Sequence, residues 1–197
     1  MLLWQNISRL DLLSFFLKPS FFLILRQLFP KERAIPILWA VRVISKQEMD
    51  WMMGSRPGGL ASVGAARKPE IQRIWCMKEL VPGCRLLLGL LKETGSKTLK
   101  NLQENSRCAV SMADPQSYAS LQLKGRAKVV QTSMSSAEVE RWLDAVELRF
   151  QGIGLPKGSA EQMLSASQHP REWMWIDMTV DTVFDQSPKP GAGARIP

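Results

Sequence analysis

The sequence predicts a mainly β domain with helices at its periphery, and three observations carry that expectation. First, Tyr118 to Val130 sets Leu121, Leu123, Gly125 and Ala127 on one parity and Gln122, Lys124, Arg126 and Lys128 on the other. That is the period of a half-buried strand. Second, Leu86–Leu91 is a short apolar run suited to a buried strand, and Arg107–Met112 reads as another. Third, Val81-Pro82-Gly83 and Asp114-Pro115 punctuate these runs with turn chemistry. Between the strands, Lys92–Ser96 turns the chain, and Ser96 is placed to cap a short helix ending at Gln103 or Glu104. Leu99 and Leu102 share one face of that helix. Strand, helix, strand, turn and strand over residues 86–130 describe a β-rich core with a helix packed over it.

The rest of the chain is read around that stretch. Leu10–Phe29 is rich in Leu and Phe, but Asp11, Lys18 and Arg26 interrupt it and Pro19 splits it. It falls short of the ~18 uncharged apolar residues of a membrane span, so no stable membrane insertion is expected. No small-residue cleavage site follows, so a signal peptide is not expected either. Residues 1–47 are assigned to an N-terminal extension of amphipathic helices. A second reading leaves part of that segment upstream of the biological start. Ile35–Ile44 fits a strand or a helix. Trp51–Ser55 is expected as a short strand and Arg56-Pro57-Gly58-Gly59 as a turn. Leu60–Ala66 is small and apolar enough to approach another backbone closely. No Gly-Lys-Ser/Thr follows it, which excludes a nucleotide-triphosphatase loop. Pro69–Lys78 reads as one strand that turns at Val81-Pro82-Gly83 into Arg85–Leu91 as a hairpin.

After Val130 the period changes. Ser135 or Ser136 caps a helix with Glu138 in its first turn. Val139, Trp142, Leu143, Val146 and Phe150 fall at helical spacing until Gly152, Gly154 and Pro156 end it. Ser159–Ser165 supplies a second short helix. Residues 135–165 are thus a helical insert in a main domain of residues 48–186. Trp173–Val183 is expected as the last strand of a closed sheet, and residues 187–197 as a flexible tail.

Charge and cysteine usage bound the function. A hydrophobic content of 45% and a charged content of 22% suit a globular domain that buries a core. The net charge of +8 is scattered, so a nucleic-acid partner is not expected, while a pocket for a small phosphate ligand suits the balance. Cys76, Cys84 and Cys108 are odd in number and widely spaced. They are expected as buried thiols of a cytoplasmic protein. His169 is the one histidine and precedes Pro170 in a polar segment. With no Cys-x-x-Cys pair and no Gly-x-Ser-x-Gly elbow, neither a zinc site nor a nucleophile–base triad can be assembled. Asp177, Asp181 and Asp185 recur every four residues, but in a strand and its exit they read as structural or solvated. No metal site is assigned.

The strongest chemical signal is Ser96-Lys97-Thr98 at the opening of a helix. Free helix-terminal amides favour an anion there, and Lys97 adds charge. Lys124, Arg126 and Lys128 on one strand face, with Arg73 on another strand, suggest several strands converging on one phosphate.

These residues carry a family resemblance. Gly95-Ser96-Lys97-Thr98-Leu99, Asn105-Ser106-Arg107 and Leu121-Gln122-Leu123-Lys124-Gly125-Arg126-Ala127 occur in the order and spacing of a known core. Over residues 48–130 the chain resembles the FMN-binding split barrels related to pyridoxamine 5'-phosphate oxidase. The resemblance implies a six-stranded antiparallel split β-barrel with peripheral α-helices. It also implies a homodimer with FMN in clefts at the subunit interface. Ser96 and Lys97 match the turn that touches the FMN phosphate, and Thr98 occupies a position that is often basic. Arg73 is the nearest basic residue on the phosphate-holding strand, with Gln72 as a hydrogen-bond donor beside it. Ser120 or Gln122 would contact the flavin, and the backbone at Leu90 and Leu91 would pass beside its ring. The family's lysine late in the Ile71–Met77 strand has no match, since Trp75, Cys76 and Met77 stand there. Substrate-binding residues of the true oxidases are not recognisable. The function implied is an FMN-dependent oxidoreductase acting on an unknown small substrate. The alternative is a non-catalytic split-barrel protein that binds flavin or another phosphorylated heterocycle.

Overall fold

The computed structural model describes residues 43–54, 56–165 and 172–196. The N-terminal helices expected before residue 43 and the segment holding His169 lie outside these residues.

The strands are β1 (Gly58–Val63), β2 (Pro69–Ile74), β3 (Cys76–Val81), β4 (Arg85–Leu91), β5 (Arg107–Ala113), β6 (Ser120–Val130), β7 (Trp173–Asp185) and β8 (Arg195–Ile196). The helices are α1 (Lys46–Met53), α2 (Ser96–Glu104), α3 (Ser136–Gly152) and α4 (Ser159–Ser165). The strands form one antiparallel sheet in the order β2-β1-β5-β6-β7-β4-β3, with β8 added beside β7.

The two ends of that order are consecutive in the chain. Ile74 closes β2 opposite Gly58, and Cys76 opens β3 opposite Gly89. Between them the Trp75 amide donates to the Gly89 carbonyl at 2.9 Å. A sheet whose two edges are held by one short stretch of chain must curl until those edges meet. The molecule is therefore a split β-barrel, and the curling shelters edges that a flat sheet would leave open. The class matches the expectation; the strand count does not. Pro69–Lys78 is not one strand, because the chain changes partner at Trp75 from β1 to β4. The tail adds β8, with Val183 opposite Ile196 and Phe184 opposite Arg195. Residues 187–196 are folded back on the sheet, where the amide of Gly193 donates to Asp185 O at 2.6 Å.

Leu60, Val110 and Leu123 from three neighbouring strands meet Leu86, Leu88, Ile176 and Val183 in a buried core. Each fully buried aliphatic side chain contributes about 1.5–3 kcal/mol. β7, expected as the closing strand, lies inside the sheet between β6 and β4. A smaller cluster of Trp75, Leu91 and Leu164 ties β4 to α4.

Two local expectations are corrected. Trp51–Ser55 is not a strand: residues 46–53 form α1, held by a capping box. Ser45 Oγ accepts from the Glu48 amide at 3.2 Å, and Glu48 Oε2 accepts from the Ser45 amide at 2.7 Å. Gly58-Gly59 does not turn the chain; it begins β1. A Cβ on Gly58 would stand 2.9 Å from Met112 Cγ and 3.1 Å from Ser111 O, so β1 approaches β5 at a distance that only glycine permits. The helix starting after Ser135 is as expected, with its own capping box to Glu138. Among the described residues, no helix is long and apolar enough to cross a membrane.

Candidate functional site

The loop from β4 to α2 carries the candidate anion site. Gly95, not Ser96, stands at the N-cap, and no side chain caps the helix. Leu99 N–H to Gly95 O, at 2.8 Å, closes the first helical turn. The amides of Ser96, Lys97 and Thr98 precede that bond and have no carbonyl of their own helix to meet. They form the positive end of the helix. Ser96 and Lys97 are exposed there.

β2 runs beside this loop. Gln72 is buried, and its Nε2 donates to Thr94 Oγ1, which pins the loop to the strand. Glu70, two residues earlier, reaches Lys97 Nζ at 3.7 Å. The lysine side chain is 78% exposed, so this loose pair leaves it free to swing. Thr98 turns inward with Leu102 and is fully buried; its Oγ1 has no hydrogen-bond partner. It offers its amide at the helix end, not its hydroxyl. Leu90 and Leu91 are buried on β4, opposite Met174 and Trp173 of β7.

The remaining candidates lie elsewhere. Arg73 has the opposite parity to Gln72 and sits on the outer face, its guanidinium 5.1 Å from the Trp75 ring centroid. Register places Arg73, Gly59, Ser111, Gln122 and Phe184 in one row across that face. Gln122 Nε2 donates to Ser111 Oγ at 3.4 Å. Three strand spacings separate Arg73 from Gln122, about 14 Å along the sheet. Ser120 lies at the start of β6, where its amide donates to Ser187 Oγ at 3.1 Å, and it lines a separate cavity of about 290 Å³ with Trp51 and Asp185. Within one chain the structure thus joins Gln72, Ser96, Lys97 and Thr98 near α2, and leaves Arg73 and Gln122 apart from them and from each other on the outer face. Lys124, Arg126 and Lys128 share the outer face and do not converge on the α2 terminus with Lys97.

Two contributors had little signal in the sequence. Thr94 and Glu70 matter only because β2 and the α2 loop lie side by side, a non-local fact. Two cysteines are held as neutral thiols by burial. Burial pushes Cys76 up to about 12, against the opposing hydrogen bond with Gly89, and burial beside Asp181 pushes Cys108 up to about 12. All three cysteines are free and buried. Asp177 pairs with Arg85 at 2.5 Å and Asp185 with Lys189 at 2.6 Å, and no metal-binding cluster occurs among the described residues.

No family model and no curated protein matches the sequence. Solved structures do. HupZ of Group A Streptococcus superposes with a TM-score of 0.47 at 18% identity, over 77% of this chain and 99% of that one. A Clostridium acetobutylicum protein related to general stress protein 26 of B. subtilis, of the pyridoxinephosphate oxidase family, gives 0.44 at 15% identity, over 76% and 89%. HutZ, the heme storage protein of Vibrio cholerae, gives 0.42 at 13% identity, over 73% and 96%. At these identities and scores, the fold class continues to rest on the strand order alone.

Proposed function

We propose that this chain is an FMN-binding split-barrel protein of oxidoreductase type, with the flavin phosphate held at the N-terminus of α2. The observation that carries the proposal is the uncapped first turn of α2, with Ser96 and Lys97 exposed at its positive end. These residues fit a phosphate: free amides, a hydroxyl and a mobile ammonium are the donors such a group takes. Gln72, through Thr94, holds the loop in place. The backbone at Leu90 and Leu91 would flank the ring. Ser120 and Gln122 lie too far along the sheet to join this group, so in this proposal a second copy of the chain supplies them across a dimer cleft. Bound flavin supplies hydride or electron transfer, which requires no acid or base from the chain. The chain's own part is to bind, to orient and to shape the cleft.

A second reading, a binder of flavin or another phosphorylated heterocycle without turnover, draws on the thin cationic set. Lys97 is the cation at the helix N-terminus itself, Glu70 stands beside it, and Lys92 earlier in the turn pairs with Glu172 instead. Reduction of the bound flavin by a nicotinamide cofactor, followed by reoxidation, separates the two readings.

The binding step is tested by titrating FMN and riboflavin against the protein and its Lys97→Ala variant. FMN affinity is expected to fall about tenfold, equivalent to ~1.4 kcal/mol, while riboflavin, which lacks the phosphate, binds both alike. Equal FMN affinity in the variant removes Lys97 from the site.

A further inference from the structure

The outer face of the sheet carries a groove that the α2 site does not use. Its floor is Ala61 of β1 and Ala109 of β5, which are register partners, and it encloses about 490 Å³. That is the size of a small-molecule pocket. On its flank Arg107 of β5 lies directly opposite Arg126 of β6. Like charges in direct cross-strand opposition destabilise a sheet. Neither guanidinium has a hydrogen-bond or ion-pair partner among the described residues. Lys124 adds a third cation to the lining, with its Nζ 4.4 Å from the Phe184 ring centroid.

The facing strand is shaped to this groove. Lys124 pairs with Thr182 and Gly125 with Val180, which leaves Asp181 as the extra residue of a β-bulge. Both Asp181 and Thr182 consequently line the groove, whereas a regular strand would send one of them inward. The bulge brings β7 so close to β6 that a Cβ on Gly125 would stand 2.0 Å from Thr179 O. Arg107, Arg126, Lys124, Asp181 and Thr182 thus line one groove whose floor is two alanines.

We propose that this groove is a second ligand site, separate from the α2 terminus, and that it takes a hydroxylated phosphate monoester of the sugar-phosphate class. Two opposed guanidinia suit a dianionic tetrahedral group, because each fork binds two oxygens. A single carboxylate on the ligand would leave one arginine uncompensated. Asp181 repels a bare polyanion and accepts from a ligand hydroxyl, which Thr182 also meets. The methyl floor leaves room for a ring to lie flat.

Glucose 6-phosphate is the probe, with glucose and inorganic phosphate as its two halves, titrated calorimetrically into the full chain. Saturable one-to-one binding is expected, tighter than for either half. Arg126→Gln and Arg107→Gln are each expected to weaken it by about tenfold or more, and Lys97→Ala to leave it unchanged. Ligand-free Arg126→Gln is expected to melt at or above the wild-type temperature, since it relieves the opposed charges; that result also shows that the variant folds. The proposal is overturned if the probe gives no saturable heat, if both arginine variants bind it as well as wild type, or if Lys97→Ala abolishes binding. It is equally overturned if affinity falls as protein concentration rises, which marks the groove itself, and not only the neighbouring Gln122 row, as covered by a second copy. Preferential, steeply salt-dependent binding of nucleic acid in this groove also overturns it.

Discussion

Thr98 shows how a single side chain separates packing from binding. Its hydroxyl is enclosed beside Leu102 without a partner, and an unsatisfied buried hydroxyl costs about 1–3 kcal/mol. Thr98→Val keeps the shape and removes the cost. The variant is expected to gain about 1 kcal/mol in urea unfolding and to bind FMN as wild type does; weaker FMN binding would place the hydroxyl in the site. Asp114 is the opposite case. Burial pushes its carboxyl up, but the Gln116 and Ser117 amides and the charges of Arg56 and Arg149 outweigh it and hold the pKa below the ordinary value. Arg56 lies 3.2 Å and Arg149 3.5 Å from Oδ2. A depressed carboxylate stabilises the fold above its unfolded pKa, and the contribution is lost as pH falls through the lowered value. Asp114→Asn is therefore expected to cost about 2–3 kcal/mol at neutral pH. The gap from wild type should hold down to about pH 4 and close below it. A gap independent of pH would assign the loss to packing.

At the scale of elements, the most legible signals were local ones. Ser135 and Glu138, three residues apart, announced α3, and the structure forms that capping box. Ser135→Ala is expected to cost about 1 kcal/mol, read as a lower denaturation midpoint with an unchanged slope; no change would mean that packing of Val139, Trp142 and Val146 alone sets the helix. Ser45 and Glu48 carry the same box, yet α1 was obscured because Trp51-Met52-Met53 also suits a strand. Gly58-Gly59 carries turn composition, but Met112 and Ser111 crowd the position from β5, a residue pairing that no local pattern reveals. The break at Trp75 is hidden for the same reason. Residues 69–78 are uniformly strand-like, and only the change of partner from β1 to β4 divides them.

At the scale of the molecule, the parity of β6 and the turn before β4 pointed to a β-rich core, and the family resemblance implied the split barrel. The arrangement of the site was legible only in part. Ser96 and Lys97 are neighbours in sequence, so their shared exposure at α2 could be read directly. Gln72 joins them only because β2 comes to lie beside the loop, and Arg73 departs because adjacent strand residues face opposite ways. The row from Arg73 through Gly59 and Ser111 to Gln122, and the opposition of Arg107 to Arg126, depend on register between distant strands. Barrel closure at Trp75 is what sets β2 beside the β4–α2 loop. Fold and candidate site thus depend on the same stretch of chain.

Whether the protein holds FMN is read by mass spectrometry of the ligand released from natively purified protein. FMN is expected in the released fraction, and the stripped protein is expected to rebind added FMN. A protein that releases no flavin and takes up none when FMN is added contradicts the proposed FMN binding.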